Sequence, residues 1–91
     1  MRERDVEDYL VRRVKEKGGE VRKVKWVGRR GAPDRVVFLN GVHFVELKRP
    51  GARLADHQER EHARMQKHGA KVWTLDSIVA IDMFMVTFGH V

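Results

Sequence analysis

The chain has 91 residues, of which 42% are hydrophobic and 35% charged, with a net charge of +6. That length predicts one domain, residues 1–91, with one modest core, and the apolar content is too high for a disordered tail. The absence of cysteine excludes a disulfide framework, a thiolate metal site and a cysteine nucleophile, while a sequence pI near 10.2 favours a polyanionic partner.

The opening "MRERDVEDYL" carries acids and no apolar stretch of the signal-peptide kind, and no run approaches the ~18 apolar residues of a membrane span. An intracellular protein that does not use a membrane is expected. Val6, Leu10 and Val14 recur at four-residue spacing, predicting a helix from Asp5 to Lys17 that stops at Gly18-Gly19. Glu20 to Trp26 reads as a strand, and Gly28 to Pro33 as a loop. Strands from Asp34 to Phe38 and from Val42 to Lys48 flank Leu39-Asn40-Gly41, a strong hairpin signal.

Asp56 and Glu59 have the spacing of a capping box that opens a helix ending at Gly69. Lys71 to Leu75 reads as a short strand, and Asp76 or Ser77 caps a last helix from Ile78 to Phe88. An antiparallel meander followed by a helical crossover predicts an α/β fold with a mixed sheet flanked by helices. The last helix is apolar nearly all the way round, from Ile78 to Phe88. Such a helix is covered either by a second copy of the chain or by the rest of the same domain.

The hairpin poses a chemical question. Glu46 and Lys48 lie two apart and share one face of their strand. A two-residue turn would set Arg35 opposite Glu46, with Asp34 pointing away. A three-residue turn, with Gly41 in the left-handed region, instead pairs Phe38 with Val42 and Val36 with Phe44, and brings Asp34 opposite Glu46. This register matches apolar partners and ends in two facing carboxylates, which repel unless a cation lies between them. With no soft ligand on offer, the ion would be Mg²⁺ or Mn²⁺, and Lys48 beside it would serve water or phosphate. The same three residues also fit a salt-bridge cluster without catalysis.

These residues resemble the PD-(D/E)xK nuclease superfamily, with Pro33-Asp34 and Glu46-Leu47-Lys48 as its two half-motifs. The finer resemblance is to the stand-alone phage and bacterial type of VRR-NUC domain. It rests on Gly31-Ala32-Pro33-Asp34, the Glu-Leu-Lys strand, a helix containing Gln58 and ending in His68-Gly69, and the strand Val72 to Leu75 running into Asp76-Ser77. The resemblance implies a restriction-endonuclease-like αβββαβ core plus a C-terminal helix. It implies that Asp34, Glu46 and the backbone carbonyl of Leu47 bind the metal, that Lys48 serves the attacking water, that Gln58 stands at the edge of the site, and that Glu7 completes the acidic cluster. Glu3 and Asp8 compete with Glu7 for that last role. The resemblance further implies a homodimeric endonuclease acting on branched DNA, four-way (Holliday) junctions above all, in a bacterial cell or phage-infected host.

Arg22, Lys23, Lys25, Arg29 and Arg30 are the expected DNA-backbone contacts. Trp26 either stacks on an exposed base or belongs to the core. The glycine spacing around "GRRG" lacks the Lys-Ser/Thr of a phosphate-binding loop. His57 and His62 lie five apart, off a common helix face, His43 alternates away from Glu46, and His90 stands near the chain end, so zinc is not expected. A non-catalytic basic DNA-binding module on a nuclease-like fold remains the alternative function.

Overall fold

Alternation of apolar residues builds the centre of the molecule. In the computed structural model, which describes residues 1–89 and leaves His90 outside, β2 (Arg35–Phe38) and β3 (Val42–Leu47) form the antiparallel hairpin. Phe38 faces Val42 and Val36 faces Phe44, the register of the three-residue turn. Both Asn40 (φ 51°) and Gly41 (φ 127°) lie at positive φ, which an Asn-Gly pair tolerates and most residues do not. β1 (Glu20–Lys23) joins β2 antiparallel, and β4 (Val72–Leu75) joins β3 parallel, giving the mixed order β1-β2-β3-β4.

Helix α1 (Glu3–Glu16) buries Val6, Leu10 and Val14, and α3 (Ile78–Phe88) buries Ile81, Phe84 and Met85. Both pack on the sheet face that carries Val37, Val45, Leu47 and Leu75, and together these side chains form the apolar core. Asp82 of α3 accepts hydrogen bonds from Tyr9 (2.5 Å) and Arg13 (2.7 Å), which ties α3 to α1. The Ser77 hydroxyl caps α3 by accepting from the Ala80 N–H, as its sequence position predicts.

Helix α2 (Asp56–Lys67) follows β3, and its buried residues are Glu61 and His62 rather than aliphatics. The sequence predicts Asp56 as its cap with Glu59 closing the box. Instead Ala55 is the cap residue, and the Gln58 side-chain oxygen accepts its N–H at 2.9 Å. β1 also ends earlier than predicted. The Val24 N–H still bonds to the Asp34 carbonyl, but the chain then turns away, and the Trp26 indole N–H donates to the Pro33 carbonyl at 2.6 Å.

His43 is fully buried and both ring nitrogens are used: Nε2 lies 3.2 Å from the Leu39 carbonyl, and Nδ1 accepts from the Trp73 indole N–H at 3.2 Å. This fixes the neutral tautomer with the proton on Nε2, in line with burial pushing the imidazole pKa down. His43→Phe leaves a carbonyl and an indole N–H without partners. It is expected to lower the unfolding free energy by about 2 kcal/mol, read as a shifted urea midpoint at unchanged slope. A shift near zero would show that these bonds do not hold the hairpin.

Candidate active site

The pairing of β2 with β3, continued one residue beyond Arg35, sets Asp34 against Glu46. Both lie on the α2 side of the sheet, opposite the apolar core. The two carboxylates differ in surroundings. The Asp34 side chain is half exposed (51%), and one of its oxygens receives Arg35 at 2.9 Å. Glu46 is buried at 8% exposure, and its carboxyl is pushed up to about 7, first by burial and then by the charge of Asp34, with Lys48 acting in the opposite sense. Lys48 follows at the end of β3, where its N–H bonds to the Leu75 carbonyl at 3.1 Å.

Arg35 reaches the other way as well. Its guanidinium, almost wholly buried, pairs with Glu7 of α1, the Nε donating at 2.5 Å. Glu7 is therefore joined to Asp34 through a shared arginine. The α1 carboxylate whose charge reaches Glu46 is Glu3, one turn earlier. Gln58 sits in the first turn of α2 with its oxygen engaged by Ala55.

His62 of α2 also faces Glu46, a neighbour the sequence does not reveal. Its Nε2 lies 3.7 Å from a Glu46 oxygen, too long for a hydrogen bond, and has no partner although it is buried. Burial pushes the imidazole down, with a Gly31 backbone hydrogen bond and the charge of Glu61 working against it. Burial works against charge on both groups, pushing the carboxyl up and the imidazole down across this gap. Gly31 (φ 89°) comes so near α2 that a Cβ there would meet the His57 carbonyl oxygen at 2.7 Å. The signal for His62 in the sequence is its four-residue spacing from Gln58, which puts both on one face of α2. The aim of its ring depends on how α2 crosses the sheet.

The donor set suits a hard cation. Among the described residues no group of three or more His, Asp or Glu side chains forms a ready cage. Two carboxylates supplemented by backbone and water are what Mg²⁺ and Mn²⁺ accept. Burial, and then the charge of Asp34, raise the Glu46 carboxyl, and a divalent ion between the two would favour the ionised form of both. Of the basic residues, Lys23 and Lys25 border a cleft of about 430 Å³ with Asp34. Arg30 is exposed, Arg22 is exposed but paired with Glu20, and Arg29 lies 3.9 Å from Glu61.

A three-stranded meander, crossover helix and parallel fourth strand, with facing carboxylates at the end of the hairpin, define a nuclease-like α/β domain. The structure is similar to a solved VRR_NUC domain at a TM-score of 0.82 and 38% identity, covering 92% of this chain and 94% of that one. In sequence the chain is 47% identical over 79 residues to "Putative nuclease p44" of Acyrthosiphon pisum secondary endosymbiont phage 1, covering 85% of each. No family sequence model matches. The chain belongs to the VRR-NUC family of nucleases.

The elevated Glu46 carboxyl carries a stability signature. Because the folded protein holds this proton more tightly than the unfolded chain, the stability it contributes is present below about pH 4.5 and is lost as pH rises to about 7. In EDTA, wild type should therefore lose up to about 3 kcal/mol relative to Glu46→Gln between pH 4.5 and 8, and Mg²⁺ should restore part of it. Parallel urea midpoints for the two proteins would show an ordinary carboxyl.

Proposed function

We propose that the chain is a divalent-metal-dependent endodeoxyribonuclease of the PD-(D/E)xK type that cuts branched DNA, four-way junctions above all, as a homodimer. The observation that carries this reading is the Asp34–Glu46 pair, with Glu46 buried, charge-starved and followed by Lys48. Asp34, Glu46 and the Leu47 carbonyl would hold Mg²⁺ or Mn²⁺, which supplies Lewis acidity toward the phosphate and a more acidic water.

The chain's own residues do the rest. Arg35, braced by Glu7, orients Asp34 and leaves its second oxygen free. The Lys48 ammonium orients the attacking water and offsets charge that builds on the phosphate. Gln58 fixes the start of α2 at the margin of the site. Lys23, Lys25 and Arg30, joined by Arg22 and Arg29, track the DNA backbone without reading sequence.

The homodimer reading rests on α3. Its buried face meets the core, yet Val79, Met83 and Val86 form a stripe at helical spacing with exposures of 71%, 64% and 75%. A second copy related by a two-fold axis covers such a stripe on both chains and suits paired nicks in a symmetric junction. Among the described residues no helix is long and apolar enough to cross a membrane.

Cleavage of end-labelled four-way junction, matched duplex and single strand in Mg²⁺, Mn²⁺ and EDTA tests the activity. Paired nicks at the junction that EDTA abolishes are expected, with Asp34→Asn and Lys48→Ala at least about a hundred-fold slower while still binding. Tight binding without cutting in either metal would leave the non-catalytic binding module. On sizing, wild type should run as a dimer and Met83→Glu as a monomer; a monomeric wild type would remove the symmetric picture.

A further inference from the structure

Beside the carboxylates, on the same side of the sheet, lies a second cleft of about 300 Å³. It opens between the 24–34 loop and α2. Its floor is aromatic: the Trp26 and Phe44 rings sit 5.7 Å apart at 52°, and Trp26 remains 37% exposed. Met65 adds apolar wall, and Arg29 and Arg64 line it with their guanidinium groups mostly exposed.

Glu61 is set within this wall with its side chain 6% exposed. One of its oxygens accepts two hydrogen bonds from Arg64, at 2.9 and 2.7 Å, and lies 3.9 Å from Arg29. The buried carboxylate thus holds the Arg64 guanidinium at the rim and attracts that of Arg29 nearby. It also makes the interior unsuitable for a phosphate, which a carboxylate repels, and suitable for a neutral planar group that can offer N–H donors. The rim, with two arginines against one carboxylate, is cationic.

We infer that this cleft takes one unpaired nucleobase of the substrate strand, stacked on the exposed face of Trp26, with its flanking phosphate held at the rim by Arg29 and Arg64. Aromatic floor, carboxylate acceptor and cationic rim match the three parts of a nucleotide in order: base face, base edge and phosphate. The cleft is also registered to the carboxylates. Trp26 donates to the carbonyl of Pro33, the residue before Asp34, and Phe44 lies two residues before Glu46 on the same strand face. A strand whose base is seated here therefore passes its backbone close to the Asp34–Glu46 pair. The inference rests on the nuclease reading for the presence of a DNA strand, and it adds that the branch point supplies an unpaired nucleotide to the site.

The test compares two oligomers of equal length and charge on the wild-type protein in EDTA: about ten thymidylates, and about ten abasic sugar-phosphates. Anisotropy gives Kd, and tryptophan emission reports stacking. Thymidylate should bind about ten-fold more tightly than the abasic chain and quench emission. Trp73, the other tryptophan, packs against His43, Phe84 and Phe88 on the opposite face of the sheet. Trp26→Phe should abolish the quench while keeping most of the preference, and Trp26→Ala should abolish both. Equal affinities for the two oligomers, no quench with either, or equal competition by a polyglutamate of the same length would each overturn the inference. Cutting without base preference would sink this inference alone, and base-dependent quenching in a protein that never cuts would sink the nuclease reading alone.

Discussion

The chemistry of this protein depends on the number of residues in one turn. Side chains alternate along a strand, so a slip of one residue between β2 and β3 would carry Asp34 to the opposite face from Glu46. Leu39-Asn40-Gly41 prevents it with two positive-φ positions in succession. Tertiary bonds reinforce the turn from both ends. His43 holds the Leu39 carbonyl from beneath, and the Asn40 amide donates to the Phe88 carbonyl at 2.6 Å, which ties the turn to the end of α3. The stable end of the hairpin thereby holds two mutually repelling carboxylates together at its other end.

The two sides of the sheet divide the work. On one, α1 and α3 supply aliphatic and aromatic side chains, and this burial is the main source of stability. On the other, α2 presents Glu61 and His62 where a structural helix would present leucines. Buried polar groups disfavour folding unless they are paired. Glu61 is paired with Arg64, whereas His62 Nε2 is not. Folding of that side therefore gains less from apolar burial and depends more on how its polar groups are paired.

Much of this was legible in the sequence, for identifiable reasons. The last helix was readable to its end residues because Ser77 is a good cap and the apolar run is broken only by Asp82 and Thr87. The hairpin register followed from turn chemistry and matched apolar pairs. Less accessible were features set by the angles between elements. Neither periodicity nor spacing could show that Gln58 would cap its own helix, that Trp26 would leave the strand to bond Pro33, or that Arg35 would be shared between Glu7 and Asp34. Nothing in the sequence of α2 marks Glu61 for burial. Its burial depends on the 24–34 loop folding back over α2, and no local pattern encodes that.

The Tyr9–Arg13–Asp82 clasp makes α1 and α3 one plate, and the exposed stripe of α3 points outward from that plate, away from the carboxylates. The full sheet separates the two surfaces, so substitutions on one have few side chains in common with the other and their effects should add rather than couple. That separation allows the outer face of α3 to be altered without disturbing the acidic end of the hairpin. A small chain of this build can be recruited into different assemblies without its reactive centre being redesigned.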